Sequence, residues 1–130
     1  MNEIEQDDVR EAERIIKELV HEGKNGKEII DITTSQIRKF LTAVNAIHNT
    51  IQVCKEELSE DIANDIKYLK VKLAYQAGKD KNNTVRKFTE KTKMFDRIDK
   101  IGKSKKEFIK FAKFVEAIVA YHRYHGGRDR

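Results

Sequence analysis

Proline is absent from this 130-residue chain, cysteine occurs once and glycine six times. Proline removes a backbone donor and breaks helix interiors, so its absence leaves long helices unopposed. The glycines, Gly23, Gly26, Gly78, Gly102, Gly126 and Gly127, fall where apolar-periodic segments end. A lone Cys54 excludes an internal disulfide framework and a thiolate zinc centre. That suits a reducing cytoplasm. No apolar run reaches the ~18 residues of a membrane span. The longest candidate, residues 108–124, is interrupted by Lys110, Lys113, Glu116 and Arg123. The first residues are acidic rather than apolar, so no secretory signal is expected. The expectation is a cytoplasmic protein without membrane contact, folded as one domain over residues 1–130.

Charge is abundant. Asp, Glu, Lys and Arg make up 38% of the chain, well above the usual ~25%, so much of the surface must be ionic. The net +5 hides an uneven spread: residues 1–65 carry 8 Lys/Arg against 15 Asp/Glu, and residues 66–130 carry 19 against 7. A basic half of this kind suits a polyanionic partner. The alternative is that the two halves neutralise each other within the fold.

Apolar residues recur at helical spacing in five segments. The first runs from about Asp8 to Val20, with Asp7 and Asp8 at its positive end and Val9, Ala12, Ile15, Ile16, Leu19 and Val20 on one stripe. A connector follows, with Ile29-Ile30 too short to support a sheet. The second opens on a capping box, Thr33 to Gln36, and presents Ile37, Phe40, Leu41, Val44, Ile47, His48 and Ile51. The third begins near Ser59 and ends before Gly78, read as a left-handed cap; Val71 and Tyr75 add a second apolar strip beside Ile62, Ile66, Leu69 and Leu73. The fourth spans about Thr84 to Ile101. The fifth follows Ser104-x-x-Glu107, a second capping-box pattern, and is apolar nearly all round, so it is buried or shares a face. Gly126-Gly127 ends it, and a basic tail with Arg128 and Arg130 follows. The fold class expected is all-α, a compact bundle of about five helices.

Signs of catalysis are sparse. Gly102-Lys103-Ser104 imitates the end of a phosphate loop, but the earlier glycine would fall at Arg97. His122 and His125 are three apart without a Glu-x-x-His companion, so they read as surface or helix-terminal histidines; His48, on an apolar face, reads as a core histidine. Cys54, late in the second helix, lacks the signature of a positioned base and reads as a structural thiol. Adjacent carboxylates such as Glu56-Glu57 do not face each other on a helix. Glu116 sits among Val115, Ala117, Ile118 and Val119; a carboxylate buried there needs a partner, and Arg38 or Lys72 is the expected one. Its role is read as structural. No catalytic residue, metal site or cofactor is expected.

The basic residues carry more information. Lys67 and Lys70 are three apart, as are Lys110 and Lys113. Lys103, Lys106, Lys110 and Lys113 form a stripe on the fifth segment, and Lys72 and Lys79 share a face. Tyr68, Tyr75, Tyr121 and Tyr124 are interleaved with them and are able to stack on bases.

Three segments add a resemblance. Ile32-Thr33-Thr34-Ser35-Gln36-Ile37-Arg38-Lys39-Phe40-Leu41 opens the second helix, Tyr68 to Lys79 (YLKVKLAYQAGK) closes the third, and Phe111 to Tyr124 (FAKFVEAIVAYHRY) forms the fifth. Their order and spacing resemble the small subunit of type III-A CRISPR effector complexes, the Csm complex, over about residues 30–127; the acidic first helix, residues 1–22, matches nothing specific. The resemblance implies a helical bundle present in several copies. These stack as a filament beside the backbone subunit and the large subunit and contact the guide–target RNA duplex without reading its sequence, while catalysis belongs to those other subunits. Carried onto this chain, it makes Arg38, Lys39, Lys70, Lys72, Lys79 and Arg123 candidate RNA contacts; Lys67 and Lys113 join them from charge pattern alone. Two other classes stay open: a free-standing nucleic-acid-binding protein and a helical adaptor that contacts only proteins.

Overall fold

The computed structural model describes residues 3–24 and 26–127, with side chains from Asp8 onward. The side chain of Asp7 and the basic tail after Gly127 lie outside the described residues. Within them, six helices and one short ribbon follow in order: α1 (Glu3–Leu19), β1 (His21–Glu22), β2 (Glu28–Ile29), α2 (Thr34–Ile51), α3 (Glu60–Lys79), α4 (Thr84–Thr92), α5 (Met94–Asp99) and α6 (Lys105–Tyr124). The all-α class holds, and α6 packs against both α1 and α2, α2 against α3, and α3 against α4 and α5.

Local signals set most helix starts. Thr33 Oγ1 accepts the Gln36 N–H at 3.2 Å while Gln36 Oε1 accepts the Thr33 N–H at 2.9 Å. Two orphan donors of α2 are thereby satisfied reciprocally. Ser59 and Ser104 cap α3 and α6 through the N–H groups of Ile62 and Glu107. The α1 stripe is as expected: Ala12, Ile15 and Ile16 are buried. One core joins them to Ile37, Phe40 and Val44 of α2, Ile66, Leu69 and Leu73 of α3, and Phe108, Phe114 and Ile118 of α6.

Several expectations need correction. The segment read as one helix from Thr84 to Ile101 is two, broken at Lys93, whose φ of 55° is left-handed. Met94 beside it is fully buried, and Arg97 Nε donates to the Thr92 carbonyl at 2.7 Å, so an acceptor freed by the break finds a partner. The helix α3 runs through Gly78 to Lys79 rather than stopping before it. Asp80 then closes the next turn, its carboxylate accepting from the Thr84 hydroxyl at 2.7 Å and the Val85 N–H at 2.9 Å. The connector after α1 does hold a minimal antiparallel pair, His21 with Ile29 and Glu22 with Glu28. Cys54 lies in the turn beyond α2; it is half-buried, with its thiol 3.7 Å from the Thr50 carbonyl.

His122 is not at the surface. It is 1% exposed, with Nε2 at 2.7 Å from the Ile32 carbonyl. His48, expected in the core, is half-buried and pairs with Gln52. Glu116 is exposed on α6, so the premise of a buried carboxylate paired with Arg38 or Lys72 fails. It lies on the strip of α6 that faces solvent with Lys113, Ala120 and Arg123. Val71 and Tyr75, the second apolar strip of α3, are likewise exposed.

Candidate nucleic-acid interface

The opposite charges of the two halves meet inside the fold. Arg97 of α5 reaches Glu11 at 3.0 Å and Asp8 at 3.8 Å on α1. Lys91 reaches Glu18 at 3.0 Å and Lys103 reaches Glu60 at 3.0 Å. Lys91 is the leading cause of a Glu18 pKa below the ordinary carboxylate value. Part of the asymmetry seen in the sequence is therefore spent internally. The lysine stripe expected on the fifth segment is partly spent too, because Lys103 is paired and Lys110 stands 3.6 Å from Glu107.

A different set of cations remains uncompensated. Between α2 and α3 runs a furrow made of two adjoining hollows of about 190 and 230 Å³, which share Ala43 and Lys72. The first is walled by Lys39 from α2 and by Lys72, Tyr75 and Lys79 from α3. The second continues past Tyr68 to Asp65 and Thr50. Gln76 Nε2 donates to the Gln36 carbonyl at 2.8 Å, pinning the first turn of α2 to the end of α3. Among the described residues, Lys39, Lys72 and Lys79 have no carboxylate within ion-pair distance. The Lys79 ammonium instead stands 5.5 Å from the centre of the Tyr75 ring.

The structure thus brings Lys39, Lys72 and Lys79 together. It does not add the rest. Lys70 is on the other side of α3, held by both carboxylate oxygens of Asp99 at 2.9 and 3.0 Å and lying 5.5 Å from the Phe95 ring. Arg38 and Lys67 are exposed on α2 and α3 but do not line the furrow. Lys113 and Arg123 are exposed on α6. Tyr68 and Tyr75 are prominent furrow residues, being 55% and 70% exposed, whereas Tyr121 is half-buried against the core. The periodicity of α3 carried that signal, since Tyr68, Lys72, Tyr75 and Lys79 recur every three or four residues.

Arg97 is the residue that sequence reading passed over. Besides its carboxylate partners it stacks on Phe114, with the guanidinium carbon 3.7 Å from the ring centre. It borders a crevice of about 490 Å³ in which Lys93, Lys100 and Lys110 face Asp96, Asp8 and Glu11, cations and anions in balance. Lys105 is a second such residue: its ammonium donates to the carbonyls of Gln52 and Cys54 at 3.3 and 2.8 Å. Among the described residues, no three His, Cys, Asp or Glu side chains are placed to share a metal. Among them, too, no helix is long and apolar enough to cross a membrane.

Fold and site together define a small helical protein whose exposed furrow is basic and aromatic. The model of the Csm2 type III-A family matches residues 9–128, and the chain belongs to that family. It is 33% identical over 91 residues to the CRISPR system Cms protein Csm2 of Enterococcus italicus, covering 65% of this chain and 64% of that protein. It is 33% identical over 90 residues to the protein of the same name from Streptococcus thermophilus, covering 69% and 68%. The resemblance read from the three segments stands.

Proposed function

We propose that this chain is a non-catalytic small subunit of a type III-A Csm ribonucleoprotein in antiviral defence, contacting the guide–target RNA duplex through its phosphates. In that role it stacks in several copies beside the backbone and large subunits, and it works in the cytoplasm. Membership of the Csm2 family supports the assignment to the complex. The observation that carries the RNA role is the cluster of Lys39, Lys72 and Lys79 in the α2–α3 furrow without an acidic partner. Guide sequences vary, so a subunit that serves all of them must bind charge and shape rather than base edges. Lysines on two helices pinned by Gln76 and Gln36 suit that task, since the helices hold their spacing while no carboxylate among the described residues takes their charge. Exposed Val71 and Tyr124 support contacts with neighbouring copies.

Each phosphate contact releases counterions, so affinity should fall steeply with salt. One chain offers a few such contacts, and its own binding should be weak, with a dissociation constant of roughly 10⁻⁴–10⁻⁶ M. Copies stacked along one strand multiply those contacts. The test is a Lys72→Glu/Lys79→Glu double variant in the assembled complex. Assembly should be intact, and target capture should weaken for every guide sequence alike, with a shallower salt slope. Unchanged affinity and slope would remove the furrow from the RNA interface. Loss of assembly with RNA affinity retained would favour an adaptor that contacts proteins alone.

A further inference from the structure

We infer that the α2–α3 furrow is a track for unpaired nucleotides, in which Tyr68 and Tyr75 each stack on one base while Lys39, Lys72 and Lys79 hold the phosphates between. The inference rests on the reading of these lysines as phosphate contacts to the guide–target duplex, and it adds a second form of RNA that the same furrow takes, unpaired strand. Positions 68, 72, 75 and 79 fall on a single stripe of α3, so aromatic rings and ammonium groups alternate along one line. Both rings stand out from the core, 55% and 70% exposed. Tyrosine usually buries its ring and keeps only the hydroxyl wet, so two uncovered rings on one line call for a ligand with flat faces of its own.

A duplex does not supply such faces. Its bases stack on one another and offer only edges and backbone, whereas an unpaired base presents a face that aromatic side chains take without regard to sequence. The spacing fits separate bases. Seven helical residues rise about 10 Å, near three times the ~3.4 Å step between stacked nucleotides. The two rings therefore stand about three nucleotide steps apart along the helix, so a short stretch of strand with its phosphates passes between them. Lys72 stands at that interval, with Lys39 on the opposite wall. The Lys79 ammonium, 5.5 Å from the Tyr75 ring centre, is placed for the phosphate of a nucleotide stacked on the other face of that ring. A protein partner is the rival occupant. Interface centres are depleted in lysine, and three lysines wall this furrow, so RNA is the better fit.

The chain contains no tryptophan and four tyrosines, so its ultraviolet fluorescence reports on tyrosine directly. The experiment titrates the full chain at low salt with an oligouridine strand and with a blunt RNA duplex of the same length. The single strand should quench tyrosine fluorescence. Tyr68→Ala and Tyr75→Ala should each weaken its binding roughly five-fold or more, leave duplex binding unchanged and keep the salt slope, while Tyr68→Phe and Tyr75→Phe retain wild-type affinity. Circular dichroism of each variant checks that the fold is kept. If the alanine variants bind the single strand as well as wild type while Lys72→Glu and Lys79→Glu weaken both RNAs, the stacking inference is wrong and the RNA role survives. If no lysine or tyrosine change moves either RNA, both fall together. If the alanine variants lose self-association by sedimentation with RNA affinity intact, the furrow holds a second copy and the inference is overturned.

Discussion

The Arg97 guanidinium stands over the Phe114 ring, its carbon 3.7 Å from the ring centre, and reaches Glu11 at 3.0 Å. This arrangement joins α5, α6 and α1 through one side chain that is 19% exposed. A cation over a partly desolvated ring contributes about 0.5–2 kcal/mol; the carboxylates are about one-third exposed, so screening leaves their share small. Arg97→Ala should lower the unfolding free energy by about 2 kcal/mol once the orphaned Thr92 carbonyl is included. Arg97→Lys should recover less than half, because a lysine cannot stack and fork together. Urea denaturation midpoints of the three proteins decide it.

Gly127 gives a second test. Its N–H donates to the His122 carbonyl at 2.7 Å, and a Cβ built there would overlap the His122 ring, which is buried and cannot swing away. Gly127→Ala should cost about 1–3 kcal/mol, the usual range for forcing an atom into a packed site. Gly78→Ala, where a Cβ meets nothing within 4 Å and the backbone is helical, should instead stabilise by about 0.5–1 kcal/mol. Thermal melts of the two alanine variants should move in opposite directions.

Asp80 makes stability depend on acid. The Thr84 hydroxyl, then the Val85 N–H, hold its pKa below the ordinary value of 3.8. A carboxyl whose folded pKa is depressed contributes stability that is complete above the unfolded pKa and is lost as pH falls through the folded one. Asp80→Ala should therefore cost about 1 kcal/mol near neutrality, as loss of a helix-start acceptor does. The gap between variant and wild type should close as pH drops below 3.8. A gap that persists unchanged in acid would show that the carboxylate charge is not involved.

Lys70 and Lys72 are two residues apart and differ in circumstance. Lys70 is neutralised by Asp99, and Lys72 has no such partner among the described residues. Reversing Lys72 should weaken RNA capture more than reversing Lys70, and Lys70→Glu should instead destabilise the α3–α5 contact by about 0.5–1 kcal/mol through like-charge repulsion at a half-exposed pair. Equal losses of RNA affinity would contradict the assignment. Glu116→Leu, on an exposed strip, should shift stability by no more than about 0.5 kcal/mol.

What was readable in the sequence is what is local. The reciprocal bonds of Thr33 and Gln36, the caps at Ser59 and Ser104 and the α1 stripe depend on residues within a turn or two of one another. The misreadings depend on packing, in one case between residues far apart in the chain. His122 is buried because its ring meets the Ile32 carbonyl, 90 positions away. The break at Lys93 carries no glycine or proline; it follows from the burial of Met94 and the reach of Arg97 back to Thr92. Glu116 looked enclosed because its sequence neighbours are apolar, but on a helix those neighbours point elsewhere. The candidate site divides in the same way. Periodicity placed Lys72 and Lys79 on one face, but only packing shows that α2 adds Lys39 there and that α5 takes Lys70 away.

The helix α6 lies between α1 and α2, yet it follows them by more than fifty positions. During synthesis, at roughly 5–20 residues per second, the faces that α6 will cover wait for it on the order of 4–15 s on α2 and 5–21 s on α1. Ile15, Ile16, Phe40 and Val44 are then on offer to any apolar surface in the cell. The nascent chain is thus most exposed to chaperones and to its own neighbours on the polysome until α6 emerges. The core described here closes when α6 packs over walls that the earlier helices have already supplied.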